Sequence, residues 1–273
     1  MSDSEDITGI VRTLLGKGVS VTMDNQMPTC FWDYDRQDMT LSNQVIPQVL
    51  WNTIAEALLL TGASIHECGH PIYDARTLER RMAKIKTVKN PQLMKDAMNI
   101  INDSGVNYRM QLEWGATVAQ HLKFLLDTMG NGMAADLAKD LKARKPIDPI
   151  KVMLAVGNFN VRLADIKHVL DAVDPNFKGL IFEGVRCIKE SCTTSLWEDK
   201  SAYYDELYRI MTKLMAAQNK GGGQGAGESM PTQMGGTYVV QGDASTKAKA
   251  EKEAKAKGEG EGEGEGEGEG DGD

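Results

Sequence analysis

Residues 64–74 read SIHECGHPIYD and place two of the chain's four histidines, His66 and His70, four positions apart around Glu67. On a helix this spacing has chemical content. Positions four apart lie on one face, so two imidazoles can take adjacent corners of a tetrahedral zinc site, while the glutamate points about 100° away and reaches a water molecule instead of the metal. The pattern is short enough to arise by chance, and the plainer alternative is a pair of buried, hydrogen-bonded helix histidines. Cys68, between the two, faces the wrong way to be a ligand.

Catalytic zinc takes three protein ligands. A histidine at position 76 would extend one zinc-protease pattern, but Arg76 stands there. The next long helical pattern opens at Asn90-Pro91, a cap residue followed by proline, and runs through QLMKDAMNIINDSGVNYRMQLEW. Gln92, Asp96, Asn99, Asp103 and Asn107 share one of its faces, as a solvated stripe or as a source of ligands. Asp103, set among apolar neighbours, is the expected third ligand, with Asn99 behind it as a hydrogen-bonding support. Tyr73, Tyr108, Arg109, His121 and His168 are all chemically able to donate to a developing oxyanion, although His121 and His168 read more simply as ordinary helix residues.

The elements that must position these groups can be read coarsely. Ile7 to Leu15 has the pattern of a short amphipathic helix. GVSVTMDN and PTCFWDYDRQDMTLS follow, with Cys30, Trp32 and Tyr34 alternating against Phe31, Asp33 and Asp35, which predicts a small antiparallel sheet. PQVLWNTIAEALLLTGASIHECGH predicts a buried helix opening at Pro47. Pro71 removes the donor that would bond the carbonyl of Glu67 and disfavours helical geometry at His70, so this helix is expected to end or kink there. Beyond Gly115, VAQHLKFLLDTM, MAADLAKDLKA, PIKVMLAVGNF, RLADIKHVLDAV and TSLWEDKSAYYDELYRIMTKLMAAQ all read as helices. The expected fold class is α+β and mainly helical.

SIHECGHPIYD followed by AMNIINDSGVNYRM resembles the metallopeptidase-like domains that occur beside, or fused to, von Willebrand factor A domains in bacteria and their phages. The resemblance covers roughly residues 18–114. It implies a zincin-like fold with a small sheet, an active-site helix and a helical second half, and a zinc-dependent peptide hydrolase with His66, His70 and Asp103 on the metal and Glu67 as general base. A peptide or protein would be the substrate, bound across the sheet edge, and an AAA-type ATPase would be a partner by resemblance only. Two departures stand out: Asn102 occupies a position where the family commonly has an acid, and the D-x-S-x-S motif of a von Willebrand A domain is absent downstream. A non-catalytic zinc-binding helical scaffold or interaction protein is the alternative.

The formal charge of -8 comes from one segment: GEGEGEGEGEGEGDGD, residues 258–273, holds eight of the 39 acids and no base, leaving 31 acids against 31 bases in the rest. A neutral body gives no basic face for nucleic acid or an anionic membrane. The start, MSDSEDITGI, has no basic and apolar leader, which points to a cytoplasmic protein, and the four cysteines read as thiols, not as a disulfide framework or a zinc knuckle. The chain is expected to divide into a zincin-like metal-binding region at 1–114, a helical region at 115–220 and a disordered Gly/Glu-rich tail at 221–273. Deleting 221–273 is therefore expected to leave the cooperative melt and the metal content unchanged, because so few apolar residues cannot offset the entropy of ordering. Calorimetry and metal analysis of the truncated protein check this, and loss of either would move the boundary.

Overall fold

The computed structural model describes residues 2–16, 18–46, 48–194 and 197–220. The chain opens with helix α1 (Ser2–Leu15) and three short strands, β1 (Ser20–Met23), β2 (Phe31–Asp33) and β3 (Asp38–Leu41). Helices follow: α2 (Ile54–Tyr73), α3 (Leu78–Ile85), α4 (Pro91–Glu113), α5 (Gly115–Lys142), α6 (Pro149–Gly157), α7 (Lys167–Ala172), α8 (Pro175–Ser191) and α9 (Trp197–Lys220). The class is α+β and mainly helical. The tail at 221–273 and Pro47 lie outside the described residues.

The sheet is mixed, where the sequence suggested antiparallel pairing throughout. β3 is central: it pairs antiparallel with β2, Phe31 opposite Thr40, and parallel with β1, Ser20 opposite Asp38. Alternation identifies a strand but carries no information on the direction of its partner. Here residues 24–30 lead the chain from β1 into β2, β2 makes the hairpin with β3, and β1 is left to pair on the far side of β3 in parallel. The alternation itself is also incomplete, since Cys30, Phe31 and Trp32 are all buried.

Helix α2 departs from its sequence pattern at both ends. It starts at Ile54, not at Pro47, because Asn52 adopts a left-handed φ of 60° and Thr53 is extended, which ends any helical path from residues 48–50. At the other end Pro71 lies inside the helix, which runs to Tyr73 and closes with the Asp74 N–H on the His70 carbonyl at 2.8 Å. So close to a C-terminus the proline costs one internal bond, and the following turn still forms. The expectation that the helix ends at His70 is therefore not met: it continues through Pro71 to Tyr73, with Asp74 as its C-cap.

α4 begins as its sequence signals: Asn90 Oδ1 accepts from the Leu93 N–H at 3.1 Å and Pro91 occupies the first turn. α6 and α8 repeat the device with Asp148-Pro149 and Asp174-Pro175. α8 was not among the expected helices, although its Asp-Pro start is the same signal. VAQHLKFLLDTM and MAADLAKDLKA fall within the single 28-residue helix α5.

Two apolar clusters meet along α4. Leu93, Met94, Ala97, Met98, Ile100 and Ile101 pack with α6–α9, whereas Val106 and Met110 pack with α1, the sheet, α2 and the first half of α5. Between them the helix carries Asn102, Asp103 and Ser104, all buried. α4 can press onto α2 here because Gly69 has no side chain: a Cβ at that position would lie 2.3 Å from Val106 Cγ1 and 3.1 Å from Met110 Cγ. The glycine inside the His-Glu-x-x-His motif is what brings Asp103 up to the histidines.

Candidate metal centre

The middle of α2 is buried on every side from Leu59 to His70 apart from Thr61, so His66, Glu67 and His70 sit in the interior at 1–2% exposure. Burial forces each polar atom to find a partner. The His66 Nδ1–H donates to Asn107 Oδ1 at 2.8 Å, and the His70 Nδ1–H donates to Asp74 Oδ2 at 2.9 Å. With both Nδ1 atoms committed as donors, both Nε2 atoms turn inward and face one another at 3.3 Å, the rings at right angles. Only a shared proton or a cation fits between them.

Asp103 completes the arrangement. Its Oδ1 lies 3.9 Å from His66 Nε2 and 3.6 Å from His70 Nε2, and has no hydrogen-bond partner although it is fully buried. A triangle with edges of 3.3, 3.6 and 3.9 Å has its centre about 2.1 Å from each corner, within the range of zinc–nitrogen and zinc–carboxylate bonds. An orphaned carboxylate oxygen and two imidazole nitrogens aimed at one point form a donor set that fits a divalent cation.

Glu67 stands beside this point. It, His66 and His70 each offer a ligand atom within 4.8 Å of the others, a buried group able to hold a metal ion. One carboxylate oxygen has no partner, while the backbone of Trp32 in β2 donates to the group. Burial raises the Glu67 carboxyl to about 7, opposed by His70 and the Trp32 N–H. Burial likewise holds Asp103 well above the ordinary carboxylate range. His66 is lowered to about 3 by burial and by the charge of His70. In His70 burial also acts downward, but the Asp74 hydrogen bond and the charges of Glu67, Asp74 and Asp103 outweigh it and raise the ring to about 9.

The rest of the predicted stripe divides in two. Gln92 and Asp96 bond each other near the surface at 2.8 Å, whereas Asn99, Asp103 and Asn107 are buried. The supporting contact expected of Asn99 is made by Asn107, and Asn99 Oδ1 has no partner. Asn102 points elsewhere, accepting from the Tyr204 hydroxyl of α9 at 2.6 Å. Tyr73 donates to Glu113 and accepts from Trp114 Nε1, with Arg109 over its ring. His121 is half-buried on α5, His168 is exposed on α7, and neither joins the cluster among the described residues. The four cysteines are free; Cys187 and Cys192 bond to separate backbone carbonyls.

Sequence reasoning missed Asp74, Arg81 and Lys200, which lie behind His70 and are 1–6% exposed. Asp74 was legible as the residue four positions after His70; nothing in the sequence marks Lys200. Comparison with protein families, curated proteins and solved structures finds no match. No described helix is long and apolar enough to cross a membrane.

Proposed function

We propose that the chain is a zinc-dependent peptide-bond hydrolase of the zincin type, with His66, His70 and Asp103 holding the metal and Glu67 as general base. The observation that carries this reading is the convergence of two imidazole nitrogens and an unpartnered Asp103 oxygen on one point, with an unpartnered carboxylate oxygen of Glu67 alongside. Zinc bound there would supply a Lewis acid that polarises a carbonyl and lowers the pKa of water towards about 7. Glu67, with a carboxyl held near 7, receives the proton as a water oxygen adds to the peptide carbonyl and returns it to the departing amine. His66 and His70 are oriented by Asn107 and Asp74 through their Nδ1 atoms, so each turns its Nε2 towards the metal. Asn102, the departure from the family pattern, faces Tyr204, and the carboxylate beside it supplies the ligand. Because the cluster is almost fully buried, entry of a peptide requires its cover, to which Trp32 of β2 belongs, to shift.

The same burial favours a second reading, a non-catalytic zinc centre that ties α2 and α4 together inside a scaffold. Glu67→Gln separates the two. In the hydrolase the variant keeps stoichiometric zinc, because Glu67 is not a ligand, and loses hydrolysis of a quenched peptide library. Zinc in both forms with hydrolysis in neither makes the centre structural. A parent protein that binds no zinc overturns both readings.

A further inference from the structure

Behind His70 lies a set of charges that neither the ligand triangle nor Glu67 accounts for. Asp74 is the first residue after α2, and its Oδ2 accepts the Nδ1–H of His70 at 2.9 Å. Arg81 of α3 approaches the same carboxylate at 3.9 Å and donates to the Asp74 carbonyl at 3.2 Å. Lys200 of α9 places Nζ 3.7 Å from the other carboxylate oxygen. All three side chains are nearly dry, at 1%, 1% and 8% exposure.

Lys200 reaches this position over α4 at Gly105. A Cβ there would be 3.4 Å from Nζ, ordinary contact, and anything longer would meet the ammonium group. Outside the dry pocket α9 is also fastened to α3, by Arg80–Glu198 at 3.2 Å and Lys84–Asp205 at 2.7 Å. Isolated surface pairs of this kind contribute little stability. Burying an arginine, a lysine and an aspartate around one histidine nitrogen is different in kind, since a dry interior tolerates such charges only when they are paired.

We propose that Asp74 is a positioning residue of the metal centre, clamped by Arg81 and Lys200 so that α9, distant in sequence from the motif, fixes the orientation and tautomer of His70. The proposal rests on the zinc reading above. The chemistry is that of a carboxylate behind a ligating imidazole: it keeps the proton on Nδ1, leaves Nε2 bare for the metal and makes the nitrogen a better donor. A buried carboxylate needs partners for its charge, and Arg81 and Lys200 approach its two oxygens from α3 and α9. The charge balance agrees. Arg81 and Lys200 both approach Asp74, and Asp103 and Glu67 are the carboxylates facing the point where a cation would sit.

The test compares zinc dissociation constants, by chelator competition, and the visible absorption of the cobalt(II)-substituted protein, for the full-length parent, Asp74→Asn and Lys200→Met. Asparagine keeps the shape of aspartate, but its amide can donate to Nδ1 and leave the proton of His70 on Nε2, the atom that has to bind. The expected result is a 10- to 100-fold weaker zinc affinity for Asp74→Asn, within the usual range for a residue behind a ligand (about 10–100-fold), together with a changed cobalt spectrum. Lys200→Met should weaken zinc less and alter the cobalt bands in the same direction, a signature that a merely structural lysine would not give. Zinc affinities and cobalt spectra equal to the parent's in both variants overturn the proposal while leaving the zinc reading intact. Should Asp74→Asn not fold, Lys200→Met decides alone, because Lys200 touches no ligand. A parent without zinc overturns the zinc reading and this proposal with it.

Discussion

Asp103→Ala is expected to weaken zinc binding by more than about 100-fold, the upper end of what residues behind the ligands cost, and at the same time to make the metal-free protein more stable at pH 7–8. The two effects have one cause. The Asp103 oxygen aimed at the histidines is buried without a hydrogen bond, and burial lifts its carboxyl well above the ordinary range. A group whose folded pKa lies above its unfolded value of about 3.9 holds its proton longer in the folded state. Its favourable contribution is present below the unfolded pKa and is lost as pH rises through the folded one. At pH 7–8 the metal-free protein therefore carries the cost of a desolvated carboxyl, which alanine removes and which zinc otherwise offsets. Asp96→Ala is the control: Asp96 bonds Gln92 on the outer part of the same helical face, and its loss should leave zinc affinity unchanged. Chelator competition and thermal melts on the metal-free and zinc-loaded forms measure both. Parent-like zinc affinity in Asp103→Ala would remove it from the ligand set, and a large loss at Asp96 would move the ligand two turns along α4. An aspartate with only a structural role would lower metal-free stability, the opposite sign.

The parts of this arrangement visible in the sequence are those in which one residue states a local rule. His66, Glu67 and His70 announce a shared helix face, Asn90-Pro91 announces the start of α4, and from that start the phase of the helix puts Asp103 and Asn107 on one side. The hidden parts depend on through-space relations. Asn99 and Asn107 are equivalent by helical phase, one turn either side of Asp103, and only the point at which α2 crosses α4 decides that Asn107 reaches His66. Pro71 was read by its strongest rule, the broken helix, but its place so near the C-terminus left the last turn free to form. The direction of β1 is not written in its alternation, and Lys200 became part of the site only because α9 packs back over Gly105.

Gly69→Ala should be far more damaging than a small substitution on a helix usually is. In an exposed helix, exchanging glycine for alanine stabilises by up to about 1 kcal/mol. At position 69 the added methyl would stand 2.3 Å from Val106 Cγ1, inside a cluster where Val106 and Met110 have no exposed surface to retreat to. α2 and α4 must separate, and overpacking of this kind costs about 1–3 kcal/mol, enough to reverse the sign of the propensity gain. The separation also carries Asp103 away from His66 and His70, since all three lie within one turn of the contact, so zinc affinity should fall more than tenfold although no ligand has changed. Val106→Ala removes the methyl that collides. In the double variant zinc affinity should recover towards that of Val106→Ala alone, and the pair should show a favourable coupling in a double-mutant cycle. A Gly69→Ala protein that melts higher than the parent and binds zinc equally well would show that α2 and α4 are not held at this distance, and with that the geometry bringing Asp103 to the histidines would fall.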